Sequence, residues 1–136
     1  MAFFNWSDDL ATGDPRIDAD HKHLIDLVNA LYDAMKSGKG NDVLKKTLDE
    51  LIQYTSSHFR REELLMQQIR YPDADSHKAE HVKLVAEVLD LQSRFESGAA
   101  TLSVSVFNFL ADWLRTHIKG RDVYLGKALK AASTRV

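Results

Sequence analysis

His58-Phe59-Arg60-Arg61-Glu62-Glu63-Leu64-Leu65-Met66-Gln67-Gln68-Ile69 is the stretch on which the fold turns. Leu65 and Ile69 follow Glu62 by three and seven residues, and His58 precedes it by four. Working back, Thr55, Leu51, Leu48 and Leu44 continue the same three- and four-residue steps. That period marks the inward stripe of an amphipathic helix. This stripe runs unbroken through a histidine and a glutamate. Asn41 or Asp42 is the expected cap, and Tyr71-Pro72-Asp73 is the expected end, because the residue before a proline is pushed out of the helical region.

The same period recurs on either side. Upstream, Leu24, Val28, Leu31 and Met35 form a stripe with Leu27 beside it, opening near Asp18 as N-cap and closing at Gly38. Downstream, His77, His81, Leu84, Val88, Leu91 and Phe95 run from an Asp75 or Ser76 start to Gly98. A last helix opens at Thr101 or Ser103, turns Val106, Leu110, Trp113, Leu114 and His117 inward, and continues to about Ala131. Helices over about 18–37, 42–70, 76–97 and 102–131 with short loops predict an all-α fold, an up-down-up-down antiparallel four-helix bundle. Residues 1–16 read as an extended N-terminal arm packing Phe3, Phe4 and Trp6 on the bundle. The 136 residues are expected to form one domain.

Composition narrows the chemistry. The chain has no cysteine, which excludes disulfides, thiolate metal sites and thiol nucleophiles. Any metal site must be built from imidazole and carboxylate, and there are six histidines. Eighteen basic against twenty acidic residues give a net charge of −2 with no basic run, so no nucleic-acid footprint is present. No apolar stretch approaches the roughly 20 residues of a membrane span. The first residues have neither the basic nor the apolar region of a signal peptide, so the expected location is the cytoplasm.

Helical phase sorts the histidines. His21 shares the face of Leu24 and Val28. His58 and Glu62 lie on the second stripe, His77 and His81 begin the third, and His117 lies on the fourth. Burying five imidazoles and a carboxylate without partners would cost roughly 1–3 kcal/mol each, against a domain stability of about 5–15 kcal/mol. A metal removes that cost. His58/Glu62 and His77/His81 are i, i+4 pairs, stacked on one helix face and able to share an ion. His117 and Asp122 are five apart, which an ideal helix turns by about 140°. The apolar stripe slips at the same place, since Asp122, Leu125 and Leu129 fall one residue out of register with Leu110, Trp113 and His117. One extra residue accommodated near Gly120, as in a π-bulge, restores both, and a distortion between Ile118 and Asp122 is therefore predicted. His23, about 200° from His21, reads as solvent-facing. Asp20 and Glu63, off-phase, read as surface charges, and Asp18 as an N-cap able to orient His21.

Asp18-Ala19-Asp20-His21-Lys22-His23-Leu24, His58-Phe59-Arg60-Arg61-Glu62-Glu63, His77-x-x-x-His81 and His117-Ile118-x-x-x-Asp122 together resemble the four ligand motifs of the hemerythrin family. The resemblance covers nearly the whole chain and looks like that of a single-domain bacterial member. It implies two non-haem iron ions joined by an oxo or hydroxo bridge. His77, His81 and His117 would bind one and His21 and His58 the other, with Glu62 and Asp122 bridging. It also implies reversible O2 binding at the open position of the two-histidine iron, in a pocket walled by Leu24, Phe59, Leu114 and Ile118. Two positions depart from the family pattern: Leu125 stands where many members carry an aromatic residue, and Leu84 where a Phe is common.

The leading expectation is an O2 carrier or store, not an enzyme, with peroxidase-like turnover a side activity. The alternative is an O2, redox or nitric-oxide sensing unit of a signalling protein. Azide, NO and other small anions are further expected ligands, and the chain is expected to be a monomer or a homo-oligomer.

Overall fold

The computed structural model describes residues 4–38, 41–98 and 104–133. Among the described residues it is all-helical, with four long helical segments. A short 3-10 turn, Asp8–Leu10, precedes α1 (Pro15–Lys36), α2 (Asn41–Ile69) and α3 (Ala74–Glu96). The fourth segment is broken in two. α4 (Val104–His117) and α5 (Val123–Ser133) are joined without a loop by a π-helical turn, Ile118–Asp122. The distortion therefore falls where the register slip of the apolar stripe placed it.

α1 runs antiparallel to α2 and to the fourth segment, and α2 to α3, as pairs of contacts along each show. Ile17 packs with Leu65 and Met66, while Asp20 reaches Tyr54. Glu63 meets His81, and Asp49 meets Gln92. His21 meets Asp122, and Tyr32 meets Phe107.

Three helix starts differ from the sequence reading, the smallest difference being at α2, where Asn41 is already helical and so neither it nor Asp42 is the cap. α1 begins at Pro15, not at Asp18. The Asp14 carboxylate accepts from the backbone N–H of Arg16 (2.9 Å) and Ile17 (3.2 Å), and Pro15 fills the first helical position, where no N–H is needed. Asp18 instead accepts from the backbone N–H and the hydroxyl of Thr12, both at 2.8 Å. It fastens the arm to α1 and does not orient His21. α3 begins at Ala74, one or two residues before Asp75 or Ser76. The closing glycines behave as expected, with Gly38 (φ 69°) and Gly98 (φ 81°) in the left-handed region after α1 and α3. Phe3 and the Thr101 or Ser103 opening of the fourth helix lie outside the described residues.

The arm holds the bundle at three points. Phe4 is buried and exchanges two 2.8 Å hydrogen bonds with the Asn29 side chain. Leu10 is buried under the 3-10 turn. Thr12 lies so close to α5 that a Cβ on Gly126 would sit 2.2 Å from its carbonyl oxygen. Only a residue without a side chain fits there.

The apolar core is in two parts. The larger includes Leu24, Val28, Leu31, Leu48, Leu51, Phe107, Leu110 and Ile118. The smaller comprises Ile17, Leu65, Met66, Leu125 and Leu129. Each fully buried side chain of this kind contributes about 1.5–3 kcal/mol by leaving water. On α1 the two parts are separated by His21, on α2 by Glu62 and on the fourth segment by Asp122. The polar layer thus lies between two apolar plugs.

Candidate metal centre

All seven side chains singled out by phase meet in that layer. His21, His58, Glu62, His77, His81, His117 and Asp122 are each at most 3 % exposed. They form two overlapping groups. Glu62, His77, His81, His117 and Asp122 make one, and His21, His58, Glu62 and Asp122 the other. Within each group the donor atoms lie within 4.8 Å of one another. The two carboxylates are common to both.

The π turn makes Asp122 available. It carries five residues where a regular helix would carry about four, so Asp122 returns to the face of His117. Its Oδ1 is 3.0 Å from His77 Nε2 and 3.1 Å from His117 Nε2, and its Oδ2 is 2.7 Å from His21 Nε2. Glu62 Oε1 is 3.2 Å from His58 Nε2 and 3.3 Å from His81 Nε2. Every imidazole therefore turns Nε2 toward the shared carboxylates.

These donors fit a cation better than they fit each other. Both oxygens of Glu62 and the Nε2 atoms of His81 and His117 are buried without a hydrogen bond of acceptable geometry among the described residues. Buried polar groups are rarely left so. A neutral imidazole nitrogen and a carboxylate oxygen are also what zinc or iron accepts.

The family model for the hemerythrin HHE cation binding domain matches residues 12–128. The chain belongs to the hemerythrin family. It is 39 % identical over 132 residues to a bacteriohemerythrin of Methylococcus capsulatus, covering 96 % of this chain and all of that protein. A hemerythrin-like protein of Naegleria gruberi is 33 % identical over 120 residues, 88 % of each chain. A wild-type hemerythrin crystal structure superposes with a TM-score of 0.88 at 38 % identity, covering 94 % of this chain and 98 % of that one.

Around the hemerythrin core stand three carboxylates that phase alone misses. His58 Nδ1 donates to Asp20 (2.9 Å), His81 Nδ1 to Glu63 (2.9 Å) and His117 Nδ1 to Glu80 (2.9 Å). Asp20 and Glu63 are thus not the surface charges expected of them. Asp20 is itself buried and is gripped by both nitrogens of the Arg61 fork and by the Tyr54 hydroxyl. Arg121 Nε holds Glu80 at 2.6 Å. Each carboxylate sits on the preceding helix, next in sequence to a core residue: Asp20 to His21, Glu63 to Glu62, Glu80 to His81. That adjacency was the available signal. Such partners fix the tautomer, leaving Nε2 free for a metal. The outer nitrogens of His21 and His77 have no such partner among the described residues. His23 is exposed and lies against Tyr54.

Without an ion, the layer is charged by proton exchange. Burial resists ionisation of Asp122, yet the charge and hydrogen bond of His117 hold its carboxyl well below the usual range. Conversely, burial disfavours the His117 imidazolium, but Asp122 and Glu80 raise it to about 9. The hydrogen bond from His117 and that from Arg121 outweigh burial and lower Glu80 to about 2.

The expected pocket residues are all buried in the larger core cluster: Leu24, Phe59, Leu114 and Ile118. Phe59 stacks flat on His81, with centroids 3.8 Å apart, and meets His117 edge-on at 5.4 Å. It lies 5.8 Å from His58, so its closest partners belong to the three-histidine group.

Proposed function

We propose that this hemerythrin holds two non-haem iron ions and binds O2 reversibly as a carrier or store. The observation that carries the reading is the sharing of Glu62 and Asp122 between a three-histidine and a two-histidine group. His77, His81 and His117 would hold one ion, His21 and His58 the other, with both carboxylates and a solvent-derived oxygen between them. On that count the first ion would have six donors and the second five, with one position left for a small ligand. Iron supplies a one-electron change at each ion and a place for O2, or for azide or NO, to bind.

The chain's own residues do the rest. Asp20, Glu63 and Glu80 hold three imidazoles in the tautomer that presents Nε2 inward. Leu24, Leu114 and Ile118, all buried, keep water and anions from the layer. Five neutral imidazoles face only two carboxylates, so the donor set is poor in anionic charge. Carboxylate-rich di-iron sites stabilise highly oxidised metal better. The imidazole-rich set favours release of O2 over cleavage of its bond, and so binding over turnover.

The test is an iron analysis followed by cycling the reduced protein between argon and O2 under an optical beam. Two irons per chain and a spectrum that returns under argon are expected. One iron per chain, or permanent oxidation on first contact with O2, would sink the carrier reading.

A further inference from the structure

We infer that O2 enters this protein through the groove between α2 and α3, with the Phe59 ring as its inner door. The inference rests on the O2-binding reading above, and it concerns passage and not the bound state.

The groove encloses about 430 Å³. Its α3 wall is Val82, Val85, Ala86 and Leu89, and Phe59 and His81 lie at its floor. Val82, Val85 and Leu89 are three and four residues apart, so they share one face of α3. Val82 is 72 % exposed and Leu89 46 %, an apolar strip left open to solvent. Such a surface holds water weakly and suits a neutral, apolar diatomic.

Phe59 belongs to both sides of the floor. From outside it lines the groove, and from inside it is buried in the larger core with Leu24, Leu114 and Ile118. Its ring centroid is 5.8 Å from that of His58 in the two-histidine group, and 3.8 and 5.4 Å from those of His81 and His117 in the other. One side chain thus stands between the groove and imidazoles of both groups. The flat stack on His81 is the contact that shuts it, and an aromatic stack is weaker than a buried ion pair. His81 does not swing with the ring, because its Nδ1 is tied to Glu63 at 2.9 Å. It serves as a fixed post against which Phe59 opens and closes.

Other cavities reach the layer by more highly charged ways. The cleft between α3 and α4 touches His117, but Glu80, Lys83, Glu87, Asp112 and Arg121 line it. The cavity between α1 and α2 touches Glu62, but Arg16 and the Arg61–Asp20 ion pair stand in its lining. Charged side chains keep their water and so favour water or ions over a gas. In the α2–α3 groove the charges are Arg60 and Glu63, both on the α2 side.

Stopped-flow mixing of the reduced, iron-loaded protein with O2 reads entry, and release into an O2 scavenger reads exit. A door sets a barrier crossed in both directions, so both rates move together while their ratio holds. Ala86→Trp fills the groove from an exposed position and should slow both rates about tenfold. Phe59→Leu keeps the core filled but removes the stack, and should raise both about fivefold. Gln68→Trp in the α1–α2 cavity and Asp112→Trp in the α3–α4 cleft add the same bulk and should leave both rates unchanged. Rates unaltered by Ala86→Trp, or slowed as much by either of the other tryptophans, overturn the route. A changed ratio in Ala86→Trp means that the substitution acts on the bound ligand and also overturns it. Rates unaltered by Phe59→Leu overturn the door. Association of NO, another neutral diatomic, is measured on the same reduced variants. A protein that O2 oxidises permanently, but in which Ala86→Trp still slows NO tenfold, refutes the carrier reading while supporting the groove as the entrance.

Discussion

Removing the metal should reverse the pH dependence of stability. In the metal-free chain, burial disfavours the His117 imidazolium, but Asp122 and Glu80 prevail and its pKa rises to about 9. His58 moves the same way: burial opposes the charge, while hydrogen bonds to Asp122, Asp20 and Glu62 outweigh it. An unfolded histidine titrates near 6.5, with roughly 1.4 kcal/mol per unit of difference. Below about pH 6 both folded and unfolded chains hold the proton, and the stabilisation is complete. Between about 6.5 and 9 only the folded chain holds it, so stability falls as pH rises, by about 3 kcal/mol in all for His117. Asp122, held well below its usual value, contributes fully above about pH 4 and is constant across this window. At a urea dependence of about 1–3 kcal/mol per molar, the unfolding midpoint should drop by about 1–3 M between pH 6 and 9. With zinc bound, protons and metal compete for the same nitrogens, so stability should rise with pH over the same range. A metal-free midpoint that is flat or rising from pH 6.5 to 9 would refute the pairing of imidazolium with carboxylate.

Three substitutions probe the supports of the layer. Asp20→Asn removes the charge behind His58 and the anchor of Arg61, and should weaken the two-histidine metal position about 10–100-fold in a chelator competition; equal loss of both ions would mean the effect is not local. Gly126→Ala forces a methyl against the Thr12 carbonyl and should cost about 1–3 kcal/mol in urea unfolding; unchanged stability would mean that the arm does not lie on α5. Leu114→Ala opens a cavity in the wall and should both destabilise by about 2–5 kcal/mol and speed autoxidation of the reduced protein; an unchanged autoxidation rate counts against that wall as a barrier.

The parts legible in the sequence were those governed by one helix at a time. Periodicity along Leu44 to Ile69 located α2 and placed His58 and Glu62 inward without reference to any other element. The slip between His117 and Asp122 was readable because both the ligand and the apolar stripe shifted together. Asp20, Glu63 and Glu80 were not readable in this way, because each acts across an interface. Phase on α1 says that Asp20 is not on the face of His21, but not that the face it occupies meets His58 and Arg61 of α2. The start of α1 was misplaced for a related reason. Asp14 and Asp18 are both competent caps, and what decides between them is Thr12 of the arm, which claims Asp18 for itself.

The π turn also sets how this chain tolerates changes of length. One residue more or fewer in a helix rotates everything beyond it by about 100°. A further residue inserted into Ile118–Asp122, beyond the one the π turn already absorbs, would therefore move three features at once. Asp122 would leave both metal groups, Gly126 would leave Thr12, and Leu125 and Leu129 would leave Ile17 and Leu65. Insertions and deletions in the loops between helices carry no such penalty. The last helix is thus keyed to the metal layer by residue count, and its seating in the bundle and the completeness of the ligand set stand or fall as one trait.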